Sequence, residues 1–449
     1  MTTLHAPARR AAVTAPPPRH RFRPELLLSA VVAGAIAVIG LWWRGTPSVS
    51  GLDGWLTESG RVTGLLAGYG MAVLLGLMAR VPALERGVGS DRLARWHAMG
   101  GRYVIGLVVA HVLTIVWGYA VADQAGVVDE AVTMALSFPD VLNATVAFFL
   151  LLGVALVSAR AARRRLRYET WFYLHFYTYL AAWLAFGHQL ATGAQFTGDR
   201  VAQVAWYVLY LGVAALLVWY RFLGPVRVWA RHRLRVAHVT TDAPGVVSIH
   251  LTGRRMARLG AEPGQFFRWR FLTRQLWWSA NPYSLSAAPE GGGLRITVKA
   301  LGDHSAALAR LRPGTRVIAE GPYGGFTGRL GRSPKSVLIA GGVGITPLRT
   351  LFETLPGQLT LLYRARTPEE LLFRDELEEI ARVRGDARLF CSVGPRSPGL
   401  FTGLGHLLPD LREHDAYVCG PPEMTRSAIQ ALRSAGVPAH RIHHESFEF

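Results

Sequence analysis

Lysine and cysteine are nearly missing from this chain: its 449 residues include two lysines, Lys299 and Lys335, and two cysteines, Cys391 and Cys419. Two cysteines cannot supply the four thiolates of an iron–sulfur cluster or of an all-cysteine zinc site, and no CxxCH run offers covalent haem attachment. The lack of a DxDxDG loop removes an EF-hand from consideration. The formal charge of +19 is carried almost wholly by arginine, gathered in particular loops, so nucleic acid is not an expected partner. Apolar residues, by contrast, make up half of the chain. That is too apolar for an ordinary soluble protein and too long for one domain, which implies a membrane protein with a soluble appendage.

Apolar runs near bilayer length lie at 26–43, 62–78, 96–121, 141–157, 171–190 and 201–220. They predict a six-helix transmembrane bundle over residues 25–222. Residues 1–24 are polar, proline-containing and basic, and read as a disordered tail. The pair Arg9 and Arg10 invites comparison with a twin-arginine signal, but the apolar run begins only at Leu26 and is long enough to be a retained span. Arginines fill 80–95, 160–167 and 221–235, whereas the alternate loops carry Asp53, Glu58, Asp123, Asp129, Glu130, Asp140 and Asp199. The positive-inside bias therefore puts both termini in the cytoplasm, with the chain crossing the cell's inner (plasma) membrane several times.

Four histidines fall inside these apolar runs, His97 and His111 in the third, His175 and His188 in the fifth. Imidazole in hydrocarbon is costly unless it has a partner. Spans three and five run in the same direction, and the rises from His97 to His111 and from His175 to His188 are about 21 and 20 Å. Depth thus pairs His97 with His175 and His111 with His188, as for two stacked b-type haems. Azimuth fits less well, because thirteen residues leave His188 about 140° from His175 on an ideal helix. His97, beside Trp96 at the inner boundary, reads equally as an interfacial residue.

Beyond the last span, short β-rich runs at 235–240, 246–251, 265–271, 294–300 and 315–320 predict a small antiparallel β-barrel over residues 232–330. It holds Asn281-Pro282-Tyr283-Ser284-Leu285-Ser286, Gly302-Asp303-His304-Ser305 and Gly321-Pro322-Tyr323-Gly324, which offer an aromatic face for an isoalloxazine, hydroxyls, and glycine amides for a pyrophosphate. Over residues 331–449, strand 336–340 runs into Gly341-Gly342-Val343-Gly344-Ile345-Thr346-Pro347 and a helix, an arrangement that sets backbone N–H groups against a phosphate. Further strands at 358–363, 388–392 and 416–418, the last leading to Cys419-Gly420-Pro421-Pro422, predict a Rossmann-like α/β domain with its ligand at the carboxyl edge.

The ordered series NPYSLS, GDHS, GPYG, GGVGITP, CGPPE and ESFEF, with the four histidines, resembles ferredoxin-reductase-like flavoproteins joined to a ferric reductase-type transmembrane domain, the arrangement of NADPH oxidases and membrane ferric reductases. The resemblance covers residues from about 60 to 449. It implies that Tyr283 and Ser284 stack on and bond the flavin of FAD, and that Gly302 and Ser305 bind its phosphates. It implies that Gly341, Gly342, Gly344 and Pro347 bind the pyridine-nucleotide phosphates, with Cys419 and Gly420 at the nicotinamide. Asn281 departs from the basic residue usual there, so His304 or a nearby arginine is expected to substitute. Phe447 is expected to cover the flavin, with Phe449 the alternative. Arg364 and Arg366 follow the second strand of the nucleotide domain, where a 2′-phosphate would lie, and favour NADPH over NADH.

The implied activity is electron transfer from cytosolic NADPH through FAD and the two haems to an extracytoplasmic acceptor, with ferric chelates expected and dioxygen, giving superoxide, the alternative. Two other readings are electron delivery to a periplasmic partner protein, and a membrane-tethered flavin reductase whose histidines are structural.

Overall fold

The computed structural model describes residues 24–46, 48–159, 166, 168–289, 292–394, 401 and 403–445. Residues 1–23 of the expected tail, Arg160, Arg163, Arg164, Arg165 and Arg167 of the charge argument, and the flavin-covering candidates Phe447 and Phe449 lie outside the described residues. The described chain divides into two compact units at Gly224/Pro225.

The first unit is helical: α1 (Pro24–Gly45), α2 (Gly51–Leu77), a short α3 (Pro82–Gly87), α4 (Ser90–Ala122), α5 (Val127–Ser137), α6 (Val141–Ser158), α7 (Tyr168–His175), α8 (Tyr177–Ala191) and α9 (Arg200–Val218). A π-helical turn, Trp219–Leu223, continues α9 into α10 (Gly224–His232). Among the described residues five helical stretches are long and apolar enough to cross a membrane: Pro24–Gly45, Gly51–Leu77, Arg92–Ala122, Val141–Ser158 and Arg200–His232. The chain is a multi-pass membrane protein.

The sixth expected crossing, 171–190, is two helices, neither of which alone reaches the twenty or so residues of a span. The break at Phe176 has a local hydrogen-bond signature. Phe176 N bonds Tyr173 O at 3.1 Å and Tyr179 N bonds Phe176 O at 3.0 Å, both i to i−3, and Thr178 Oγ1 donates to His175 O at 2.7 Å. A turn wound this way advances about 120° per residue instead of about 100°, so three residues recover roughly 60° of the azimuthal deficit between His175 and His188. The segment after α4 contains α5, which buries Glu130 and Met134.

Small residues let these helices approach without a hydrophobic driving force between them. Helix α2 buries Gly60, Ala67, Gly68 and Ala72, and α6 meets α8 through Ala147, Leu151 and Ala181. Glu58 of α2, 7 % exposed, is satisfied by Trp42 Nε1 at 2.8 Å, Thr46 Oγ1 and an ion pair with Arg61, which ties α1 to α2. Asp199 caps α9 through Ala202 N at 3.0 Å and pairs with Arg44 of α1.

The second unit opens with α10 and continues with strands β1 (Arg235–Ala243), β2 (Val246–Thr252), β3 (Phe266–Phe271), β4 (Asn281–Ser284), β5 (Leu294–Lys299) and β6 (Val317–Tyr323). They form two three-stranded sheets, β1-β2-β5 and β4-β3-β6, in place of one continuous six-stranded sheet. Single antiparallel bridges, Arg235 to Arg316 and Leu285 to Ile296, join their edges. Alternating inward residues, including Ile249, Leu251, Phe267, Trp269, Phe271 and Ile296, fill the space between them. The remainder is a five-stranded parallel sheet, ordered β11-β10-β7-β8-β9, from β7 (Lys335–Gly341), β8 (Gln358–Ala365), β9 (Ala387–Val393), β10 (Asp415–Cys419) and β11 (Ile442–Glu445). Helix α11 (Asp303–Ala307) follows β5 and packs on it, whereas α12 (Ile345–Thr354), α13 (Arg374–Arg384) and α14 (Pro422–Ser434) follow strands of the parallel sheet.

The two lobes of this unit are joined by charge. Arg295 of β5 grips Glu376 of α13 with two bonds, 2.7 and 2.8 Å, and Arg349 of α12 adds a third to the same carboxylate at 2.6 Å. Lys299 of β5 pairs with Glu370 at 3.0 Å. Burial pushes the Glu376 carboxyl up, but the Arg295 bond and the two guanidinium charges outweigh it and hold it below the ordinary carboxylate range. A depressed folded-state value means that this stability is present above the unfolded-state value and is lost as pH falls through the folded one. Glu376→Ala is expected to lower stability by about 1–2 kcal/mol, less than a fully buried pair because the carboxylate keeps solvent contact. Thermal unfolding of the detergent-solubilised chain should show this deficit near neutral pH and its disappearance in acid.

Candidate functional site

Helices α4 and α8, with α7, bring the four histidines into two facing pairs. The ring centroids of His97 and His175 are 5.9 Å apart, those of His111 and His188 6.4 Å apart, and the ring planes cross at 73° and 36°. Imidazoles in direct stacking would be closer. A metal–nitrogen bond of about 2 Å on each side, plus the short distance from nitrogen to ring centre, calls for roughly 6 Å. Both gaps therefore fit one metal atom.

The second nitrogens decide which edge of each ring is available. His97 Nδ1 lies 3.1 Å from Leu74 O and His111 Nδ1 2.8 Å from Gly60 O, so both donate to carbonyls of α2 and leave Nε2 for a ligand. His175 Nδ1 is 3.4 Å from Ser158 Oγ, and His188 Nδ1 is buried with no well-aligned hydrogen bond. Among the described residues no group of three or more His, Cys, Asp or Glu could hold a metal ion. Two imidazoles alone are a poor site for a bare ion, so the geometry suits a metal that brings its own remaining donors.

Beside His111 and His188 lies a cavity of about 360 Å³, lined chiefly by apolar residues that include Gly64, Ala67, Ala147, Ala181 and Phe148. A Cβ added at Gly64 would stand 2.6 Å from His111 Nδ1, so only glycine lets that ring keep its bond to Gly60. Trp206 Nε1 donates to Gln189 Oε1 at 2.8 Å in the same wall.

In the second unit, β3 brings two of the expected motifs together. Phe267 pairs with Tyr283 of NPYSLS across one edge and Phe266 with Tyr323 of GPYG across the other. Tyr283 is half-buried, and burial, partly offset by a hydrogen bond with Asn281, pushes its phenol up to about 12, so it is a neutral donor at any physiological pH. Ser284 is buried. Arg268 of β3 lies beside Pro282 in register and its guanidinium donates to Ala280 O at 2.8 Å, so it is an arginine next to Asn281. No sequence signal marked it, because only the strand pairing reveals the adjacency. Ser305 Oγ accepts from Leu301 N at 2.8 Å and Gly302 N at 3.1 Å, which shapes the GDHS turn. His304 packs edge-on against Trp278.

At the carboxyl edge of the parallel sheet, Gly342 takes a positive φ of 53° and Gly344 precedes the buried first turn of α12, which contains Pro347. A Cβ at Gly344 would stand 2.3 Å from Cys419 O, and one at Gly420 3.2 Å from Gly341 N. The two glycine turns thus pack backbone against backbone. Cys419 is fully buried and Gly420 is buried beside it. Arg364 reaches Ser392 Oγ at 3.3 Å and Gly394 O at 3.5 Å, while Arg366 is exposed at the end of β8. The chain leaves β11 at Glu445, whose Oε1 is 3.5 Å from the Cβ position of Gly324.

Residues 63–186 match the family described as ferric reductase like transmembrane component, and residues 338–430 the oxidoreductase NAD-binding domain. Ferredoxin--NADP reductase B of Sorangium cellulosum is 30% identical over 37% of this chain and 77% of its own length. The glycine betaine monooxygenase reductase subunit of Chromohalobacter salexigens is 29% identical over 50% of this chain and 68% of its own. For the propane 2-monooxygenase reductase component of Rhodococcus jostii the values are 28%, 48% and 63%. The chain thus spans about two thirds of the length of such relatives. A solved flavohem-like FAD/NAD binding domain of nitric oxide dioxygenase from Vibrio cholerae is 25% identical, with a TM-score of 0.43, over 48% of this chain and 99% of that one.

Gly344→Ala is expected to cost about 1–3 kcal/mol, because its methyl meets backbone that cannot yield cheaply. The shift should appear in thermal unfolding of the solubilised chain as an early loss of the second unit, with the helical unit unaffected.

Proposed function

We propose that this chain, which belongs to the ferric reductase-like transmembrane proteins with a ferredoxin-reductase-type NAD(P)-binding module, moves electrons from cytosolic NADPH to an acceptor beyond the inner membrane. It is an NAD(P)H-dependent oxidoreductase, and FAD and NAD(P)H are the ligands of its second unit. Two b-type haems complete the proposed path. FAD, when bound, supplies the exchange between two-electron and one-electron chemistry, and the haems supply one-electron carriage.

The chain's own residues divide the work. His97 with His175, and His111 with His188, would hold the two irons. The observation that carries this is the pair of gaps, 5.9 and 6.4 Å between ring centroids, with the Nδ1 atoms of His97 and His111 committed to α2 carbonyls. The macrocycle would bring the donors that the protein lacks. Gly64 keeps room for the His111 ring. Tyr283 would stack on the flavin and Ser284 bond it, with Arg268 near enough to stand in for the missing basic residue at Asn281. The Gly342–Gly344 turn would receive the nucleotide phosphates at the start of α12. Arg366, outside the strand pairing and exposed, is the better candidate than Arg364 for a 2′-phosphate. Contact of nicotinamide with Cys419 and Gly420 requires whatever covers them to move aside.

Ferric chelates are the favoured acceptor and dioxygen the second reading. With no three-ligand metal cluster among the described residues, the acceptor that fits is a chelate that keeps its own ligands in solution.

Purified protein should show b-type absorbance from two haems per chain, and His111→Leu should remove one. Absence of that absorbance would overturn the haem assignment. With NADPH, ferric-chelate reduction should be insensitive to superoxide dismutase; full sensitivity would move the acceptor to dioxygen. Arg366→Ala should cut the preference for NADPH over NADH roughly tenfold, the worth of one charged hydrogen bond.

A further inference from the structure

Of the four paired histidines, only His175 has its Nδ1 met by a side chain. His97 and His111 are held by backbone carbonyls, and His188 by no well-aligned bond. Ser158, the last residue of α6, lies 3.4 Å from His175 Nδ1 and also accepts a bond from Trp171 Nε1 at 3.2 Å. Trp171 sits one turn before His175 on α7 and stacks on its ring, with centroids 5.2 Å apart and planes 26° from parallel. Three side chains from two helices thus close a small circuit. The indole N–H fixes the hydroxyl, the hydroxyl oxygen is placed to accept a hydrogen bond from the imidazole Nδ1–H when Nε2 is the ligating atom, and the indole face fixes the ring plane.

We infer that Ser158 and Trp171 are positioning residues for His175, setting both the orientation of its imidazole and its strength as a donor to the haem held with His97. The inference rests on the haem reading of that pair. A group that accepts a hydrogen bond from Nδ1–H raises the basicity of the ligating nitrogen, which stabilises ferric over ferrous iron and lowers the midpoint potential. Ser158 and Trp171 touch neither the iron nor the nucleotide, so they act through the histidine. The carbonyls of Leu74 and Gly60 do the same for His97 and His111, but no side-chain substitution removes them. Ser158 is therefore the position where this contact can be altered alone.

The test is spectroelectrochemical titration of the purified full chain carrying both haems. Ser158→Ala should raise one of the two midpoint potentials and leave the other in place, and Ser158→Thr, which keeps the hydroxyl, should restore it. Trp171→Phe keeps the aromatic face and removes the N–H, and should move the same potential in the same direction by less. If Ser158→Ala fails to retain haem, Trp171→Phe carries the test with the same readings. Two haems with both potentials unmoved, or with both moved together, would overturn the inference alone. A wild-type chain with no b-type haem would overturn it together with the reading beneath it.

Discussion

An imidazole buried in an apolar bundle needs a partner, and the arrangement of the first unit follows from accommodating four of them. Helix α2 supplies two carbonyls, from Leu74 and Gly60, to the histidines of α4. An α-helical carbonyl is ordinarily committed to its own ladder, so each must accept a second bond, and close approach makes this feasible. Gly60 and Gly64 permit that approach. The facing histidines then stand with ring centroids 5.9 and 6.4 Å away, wider than face-to-face stacking and compatible with a shared metal.

The second unit solves a different problem, that of bringing backbone near a phosphate and an aromatic near a ring. The first depends on glycines whose missing side chains let the β7 and β10 turns touch, as at Gly344 and Cys419. The second depends on β3, which carries no motif itself yet sets Tyr283 and Tyr323 on its two sides. Around these the charged contacts of Arg295, Arg349 and Glu376 fix one lobe to the other. Such ion pairs contribute modestly to stability, but they fix the relative orientation of the lobes.

Much of this was legible in the sequence because periodicity and punctuation report local structure directly. The apolar runs located the helices, and the matched histidine intervals identified which rings meet. The interruption at Phe176 was not legible, since the i to i−3 bonds that mark it leave no signature in an apolar run. That same interruption reduces by roughly 60° the azimuthal misfit of about 140° that an ideal helix imposed. Helix α5 was not legible as an element, because only eleven residues and two buried side chains define it. Arg268 and Ser158 were invisible for a common reason: their importance lies in partners distant along the chain, and a single sequence carries no record of adjacency. The burial of Cys419 was hidden likewise, because the motif that marks it says nothing of what packs above it.

The central claim is that electrons cross the membrane within one polypeptide. Vesicles containing the purified chain with its second unit facing outward, loaded with a membrane-impermeant ferric complex, test it most directly. On external NADPH addition the account predicts reduction of the enclosed complex, lost when His111 or His188 is replaced by leucine. Reduction only of a complex placed on the same side as NADPH would contradict it and leave a flavin reductase anchored to the membrane.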